Sequence, residues 1–495
     1  MVKPKFINNF FRLKDRGSSI KNELYAGLIL FLSSYILIKF TADILRDSFT
    51  PGELNLVYPI LIIVIGITSG LLTILSGFLT NLPFAVVPNL IFSLMIAVTG
   101  HIYLGHQLEY VLVSAFIGSL LFVIVTIFFK KNNLLKLIPK SLSNSFALML
   151  GLLLIFFGLI NSGLITKTEL PIPATTLGGV APSISFTFPL SLGNILSPVS
   201  LLTLIGICLF VVLYMSKNKY SYIITFIIIA VLGFIIPINW SAGFSKGTVS
   251  GFVRFTPIEN ILRPEGFEIL FSKLTSFKTF LNLQAFSKFW EIIRLSSTAL
   301  LKLSFSFFII LFFSNLFFTS SLLGYGEDEA DIEGSDKFSK LSKVNGLSAL
   351  IGTLTNTTYY TYSSESAIPI INKGKTGLTA VFCGLLMLLF SLLFPYTNFF
   401  VSPAAISVIL IVSGGLILKY ALEKIDFDTI YEFIPAIIMV IMGFMCMNPA
   451  LGLLLGFGTY TIINIFKLLS GKKTELNWFM YVSLIIMIIY FALNI

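Results

Sequence analysis

Glu365 is the residue whose setting points most directly to chemistry. It lies within Gly352–Gly377 (GTLTNTTYYTYSSESAIPIINKGKTG), a stretch crowded with Thr, Ser, Asn and Tyr between long apolar runs. An acidic side chain at the centre of a membrane helix costs roughly 3 kcal/mol and by default marks a pathway or a binding site. Held away from water, a carboxyl suits two tasks: carrying a coupling proton, or accepting hydrogen bonds from the N–H groups of a solute. The structural alternative is a carboxylate bonded to backbone N–H groups at a helix start. Ser364 and Ser366 are placed to cap that start or to line a site, and Tyr362 and Ser363 lead into it.

A second stretch, Gly77–Asn89 (GFLTNLPFAVVPN), shares the opening of the first. Gly77, Leu79, Thr80 and Asn81 match Gly352, Leu354, Thr355 and Asn356 at one constant offset. Phe84–Val87, ending at Pro88, and Asn356–Tyr362 are both rich in residues that favour extended backbone. Such backbone is tolerated at membrane depth only when buried in protein or lining a cavity. Two interruptions at matching positions of two halves point to a binding site near the bilayer midplane. Half-helices beginning near Asn89 and near Ser364 would aim N–H groups at it. The expected solute-binding set is therefore Phe84, Pro88, Asn89, Tyr362, Ser363, Ser364, Glu365 and Ser366, with Glu365 as the proton-coupling residue. Asn315 and Thr319 share one face of a helical run and join the set, either as lining or as polar glue between helices.

The surrounding elements must be membrane helices. The chain has 495 residues, of which 56% are hydrophobic and only 11% charged, against about 25% charged in soluble domains. Its partners are expected to be the lipid bilayer, a small-molecule substrate and a coupling proton. The net charge of +10 reads as basic cytoplasmic loops beside anionic lipid rather than as a nucleic-acid surface. Cys208, Cys383 and Cys446 sit in apolar runs and read as small buried hydrophobes. His101 and His106 share a polar connection. That inventory suggests neither a metal site, nor a cofactor, nor the catalytic constellation of an enzyme.

A spanning helix needs about 20 mostly apolar residues, and about fourteen runs between Leu24 and Leu468 serve. The expected fold is an all-α polytopic membrane protein of two inverted seven-helix repeats, with short extended stretches in spans 3 and 10. Residues 1–240 form the first repeat, 241–296 a long extracytoplasmic loop, 297–468 the second repeat, and 469–495 an extra hydrophobic segment. The acidic run Glu327–Asp336 reads as a solvated hinge. Basic residues such as Lys14, Arg16, Lys140, Lys217 and Lys419 fall in even-numbered loops or the N-terminal arm, which places the N-terminus in the cytoplasm of a bacterial-type inner membrane.

Particular residues add a family resemblance. Phe11–Lys14, Gly17, Glu23, Ala26–Gly27, Asn81, Pro83–Ala85, Pro88, Glu365–Ala367, Gly374–Val381 and Ile434–Ala436 carry it. The chain resembles the nucleobase–cation symporter-2 (xanthine/uracil permease) superfamily in its AzgA-like branch of adenine/guanine/hypoxanthine permeases. The resemblance implies a core and a gate domain, proton-coupled uptake of nucleobases, and in many members a homodimer. Departures accompany it: Phe318 stands where an acid is expected, and Ser363 where a Tyr is usual. The alternatives are a sulfate-permease-like anion transporter on the same scaffold and a passive or transport-altered paralogue. The first needs a positive site, yet neither interrupted span carries Lys or Arg.

Overall fold

The computed structural model describes residues 8–46, 54–97, 108–127, 139–167, 190–235, 297–326, 337–371, 374–393, 402–425, 429–445, 449–471 and 478–492. His101, His106, Cys446, the acidic run Glu327–Asp336 and the loop 241–296 lie outside them. In chain order the elements are α1 (Ile20–Arg46), α2 (Leu54–Thr80), β1 (Val86–Pro88), α3 (Leu90–Leu94), α4 (Leu108–Ile127) and α5 (Lys140–Asn161). A hairpin of β2 (Ile165–Lys167) and β3 (Leu190–Leu192) precedes α6 (Pro198–Met215) and α7 (Ser221–Ile235). Then come α8 (Ser297–Gly326), α9 (Lys337–Leu354), β4 (Tyr360–Tyr362), α10 (Ala367–Ile371) and α11 (Gly377–Leu392). The series ends with α12 (Pro403–Leu422), α13 (Ile430–Met445), α14 (Pro449–Leu469) and α15 (Trp478–Ala492).

Among the described residues, 8 helices are long and apolar enough to cross a membrane. The chain is an integral, mainly helical membrane protein. Two boundaries differ from the sequence expectation. The apolar run from Leu142 reads on to Ile165 in the sequence, but α5 stops at Asn161 because Gly163 turns the chain at φ +75° and Ile165–Lys167 pairs with Leu190–Leu192. Only glycine takes that conformation at little cost. The ninth span, expected to begin at Val344, extends back to Lys337 as α9.

The chain forms two compact units. One comprises Met1–Leu153, Pro257–Thr397 and Ser413–Ile495, the other Leu154–Thr256 and Asn398–Val412. Each draws on both halves of the sequence. In the second unit, Asn161 donates through Nδ2 to Pro403 O (3.0 Å) and Ser407 Oγ (2.9 Å). There Gly206 lets its helix approach Ile229 and Val408. In the first unit, α2 crosses α11 at small residues. A Cβ on Gly70 would lie 2.9 Å from Gly384 O, and one on Gly77 2.7 Å from Gly377 O. Backbones this close are typical of helix packing in lipid, where apolar burial gives no advantage over contact with acyl chains.

The repeated Gly–x–Leu–Thr–Asn motif has a concrete role in this frame. Asn81 and Asn356 both adopt the left-handed conformation, at φ 52° and 55°. Each closes the helix before it: Asn81 N bonds to Gly77 O at 3.2 Å, and Asn356 N to Thr353 O at 3.0 Å. Asparagine is the residue after glycine that best tolerates this turn. The motif is thus a helix stop, used once before each strand.

Asn356 isolates the conformational requirement, since its side chain makes only a long 3.4 Å bond to Leu354 O. Asn356→Gly should leave the melting temperature of detergent-purified protein nearly unchanged. Asn356→Val should destabilise by about 1–2 kcal/mol, because a β-branched residue is strained at positive φ.

Candidate functional site

The two matched stretches lie side by side. β1 and β4 pair antiparallel, with Val86 opposite Tyr362, Val87 opposite Thr361 and Pro88 opposite Tyr360. The ladder continues past both ends, with Asn89 N bonded to Tyr359 O (2.9 Å) and Ser363 N to Ala85 O (3.0 Å). Antiparallel pairing is what a two-fold exchange of the repeats produces. The strands are buried throughout.

Each strand runs into a helical turn. Asn89 caps α3, its side chain accepting from Ile91 N at 2.9 Å, and its Nδ2 donates across the ribbon to Thr361 Oγ1 at 2.8 Å. One residue therefore ties the first half-helix to the opposite strand. After β4, Ser364–Ser366 form a single 3₁₀ turn that leads directly into α10. Ser366 Oγ accepts from Ala85 N at 3.1 Å, so this turn too is tied to the opposite strand. Ser363 Oγ lies 3.1 Å from Ser366 Oγ and 3.4 Å from Ser34 Oγ of α1.

Glu365 sits in this turn with no exposed surface. Its Oε2 accepts from Ser364 Oγ at 3.2 Å, while Oε1 has no hydrogen-bond partner among the described residues. A buried carboxylate oxygen left unpaired is costly and calls for an occupant: a proton, a water or a ligand donor.

The ribbon and its two ends gather Phe84, Pro88, Asn89, Tyr362, Ser363, Ser364, Glu365 and Ser366. Phe84 meets Tyr362 edge-on, with ring centroids 5.6 Å apart. The tyrosine hydroxyls on this strand are engaged in packing: Tyr362 accepts from Ser76 Oγ (3.1 Å), Tyr360 pairs with Thr357 (3.1 Å), and Tyr359 donates to Ala115 O. Asn315 and Thr319 stand apart from this group on α8. Asn315 Oδ1 accepts from Thr319 Oγ1 (3.3 Å) and from Asn345 Nδ2 (2.7 Å), and its Nδ2 donates to Ser342 Oγ (2.9 Å). They link α8 to α9 and reach the ribbon through Asn345. Asn345, Ser34, Ser76 and Thr73 were missed in the sequence, where nothing separates them from the other polar residues of their helices; the pattern that marks them is polarity on the face that meets the ribbon or its adjoining turn.

A second glutamate shows what a structural buried acid looks like here. Glu23 of α1 is also fully buried, yet both of its oxygens are satisfied. Oε1 accepts from Ser18 Oγ (2.5 Å) and Lys375 N (3.1 Å), and Oε2 from Thr376 N (3.2 Å) and Thr379 Oγ1 (2.5 Å). It caps the start of α11, where the helix dipole favours a negative charge. Asn81 joins this cap by accepting from Gly377 N at 2.9 Å. Arg16 straps it by donating to Asn81 O and Lys375 O, each at 2.8 Å.

No protein-family model matches the chain. Individual proteins do, along nearly the whole length. A candidate permease of Methanocaldococcus jannaschii is 27% identical over 494 residues, 99% of this chain and 98% of that protein. The guanine/hypoxanthine permease PbuG of Bacillus subtilis is 25% identical over 98% of this chain and 99% of its own length. The adenine permease AdeP of Escherichia coli is 24% identical over 95% and 92%. The chain resembles the nucleobase–cation symporter-2 permeases. Among solved structures, SLC26A9 superposes with a TM-score of 0.51 at 12% identity, over 92% of this chain and 66% of that one. That likeness is one of fold. It agrees with an all-α polytopic membrane protein, as expected for a relative of these permeases.

The two buried glutamates should respond oppositely to substitution. Glu23→Ala strands two backbone N–H groups and two hydroxyls, and should destabilise by about 3 kcal/mol or more. Glu365→Gln removes an acid that is only half satisfied, and should leave thermal stability at or above that of the unaltered protein. Thermal unfolding of the two purified variants checks both outcomes.

Proposed function

We propose that this chain is a secondary active permease of the inner membrane, with a cytoplasmic N-terminus, that takes up a nucleobase, most simply a purine, together with a proton. The observation that carries the reading is the unpartnered Oε1 of fully buried Glu365 at the end of the β1–β4 ribbon. A planar base offers ring and exocyclic N–H groups, and a carboxylate oxygen is their matching acceptor. Ser364, Ser366 and Ser363 supply hydroxyls on the same turn, and Phe84 an aromatic ring beside the strand. The full-length relatives named for guanine, hypoxanthine and adenine support a purine as cargo.

Glu365 then has two tasks. It binds the base, and it carries the coupling proton between the two faces of the membrane by alternating access. Position 318 is where the alternative of a passive or transport-altered paralogue rests. Where the family resemblance places a second acid, Phe318 is buried and packs edge-on to Phe146 with centroids 6.5 Å apart. In the permease reading Glu365 carries the proton without that second acid.

Two measurements test the reading. In a thermal-shift and uptake screen of purines, pyrimidines and small anions, purines should stabilise the protein and enter proteoliposomes in proportion to an inward proton gradient. Stabilisation by anions alone would remove the nucleobase assignment. Glu365→Gln should lose at least 90% of gradient-driven accumulation while remaining folded; an unchanged accumulation ratio would sink the role of Glu365.

A further inference from the structure

The ribbon has two outer edges, and the helix before each strand sends a side chain to one of them. In an antiparallel pair, positions alternate between those that exchange backbone bonds and those that do not. The bonds from Asn89 N to Tyr359 O and from Ser363 N to Ala85 O set the phase. The backbone groups of Val86, Pro88, Tyr360 and Tyr362 therefore point away from the partner strand. At membrane depth no water is there to satisfy them.

Specific residues meet this demand. Thr73, on α2, spends its single hydroxyl on both groups of Val86: Oγ1 accepts from Val86 N at 3.0 Å and donates to Val86 O at 3.0 Å. Asn345, on α9, accepts from Tyr362 N through Oδ1 at 3.0 Å. Proline at position 88 has no N–H to leave unpaired. Thr73 and Asn345 are fully or almost fully buried, at 0% and 1% exposure.

The orientation of Asn345 is also dictated. Because its Oδ1 must face the Tyr362 N–H, its Nδ2 must face Asn315 Oδ1, which in turn sends Asn315 Nδ2 to Ser342. A side-chain amide has a distinct donor and acceptor end, so the whole chain of amides has one consistent direction. The backbone N–H of Tyr362, three residues before Glu365, sets it.

We infer that Thr73 and Asn345 are positioning residues for solute binding, and that Asn315 acts through Asn345 rather than on the solute. The inference rests on the permease reading proposed above. Thr73 holds the strand leading to the Asn89 half-helix, and Asn345 the strand leading to Glu365. Without a staple, the edge admits water or shifts, and the solute must then order the ribbon as it binds. The effect falls on KM, because the bound state re-forms the same ribbon before translocation.

The test compares isosteric and conservative variants. Thr73→Val keeps the shape and removes the hydroxyl; it should raise the KM for hypoxanthine uptake tenfold or more with Vmax per folded transporter within about twofold, and Thr73→Ser should restore KM. Asn345→Leu should behave like Thr73→Val. Backbone hydrogen exchange of purified protein gives a readout independent of transport. Peptides covering Phe84–Asn89 should exchange at least tenfold faster in Thr73→Val, and those covering Tyr359–Ser366 in Asn345→Leu. An unchanged KM and unchanged exchange in folded Thr73→Val would overturn the inference, as would a loss of protein without any change in KM. If the unaltered protein takes up no nucleobase, the permease reading fails, and exchange alone decides whether the staples hold the ribbon. Should Asn345→Leu not fold, the Thr73 pair carries the test.

Discussion

Every backbone N–H and C=O at membrane depth must find a partner within the protein, and the architecture around the site depends on that constraint. A helix meets it internally. The stretches Ala85–Asn89 and Tyr359–Ser363 are not helical and cannot. They meet it by pairing with each other on their inner sides and by taking side-chain partners on their outer sides. An unpaired group here costs several kcal/mol by the estimate for hydrocarbon surroundings, about as much as any single packing contact contributes. The pairing and the side-chain partners therefore support one another. The glycines of α2 and α11 and the Asn81 and Asn356 helix stops serve to bring the two strands to one place.

The same constraint separates the two buried glutamates. Glu23 lies where donors are plentiful, at the open N-terminal turn of α11, and both of its oxygens are consumed by structure. Glu365 lies in a 3₁₀ turn beside the hydroxyls of Ser363, Ser364 and Ser366. Ser366 Oγ accepts from Ala85 N, and Ser364 Oγ donates to Oε2. One oxygen is left over. Among the buried, unpartnered side-chain atoms of the described residues it is the one carboxylate oxygen. In a permease that binds and releases its cargo, an acceptor that protein groups already filled would be of no use.

Polarity alone does not mark a site in this protein. Asn315 and Thr319 look from the sequence like lining because they are polar and share a helical face. In the structure they form a closed network with Asn345 and Ser342. Tyr359, Tyr360 and Tyr362 likewise spend their hydroxyls on Ala115, Thr357 and Ser76. Most polar side chains in these helices exist to satisfy other polar groups, and a candidate ligand contact is one whose bonding is not yet complete.

The membrane class is legible from composition, because no soluble core could bury so apolar a chain. The sequence also located both interruptions, since β-prone residues, Pro88 and the repeated Gly–x–Leu–Thr–Asn motif are local signals with local physical causes. It marked Glu365, because an acid among apolar residues needs a reason. Only the tertiary structure decided the rest. The register of β1 against β4 depends on residues far apart in the chain. So do the staples from Thr73 and Asn345, the different fates of Glu23 and Glu365, and the hairpin of Ile165–Lys167 with Leu190–Leu192. Composition and periodicity report which groups must be buried. Which donor reaches which acceptor is a matter of long-range geometry, and in this protein that geometry separates a carboxylate with both oxygens bonded from one whose Oε1 has no partner among the described residues.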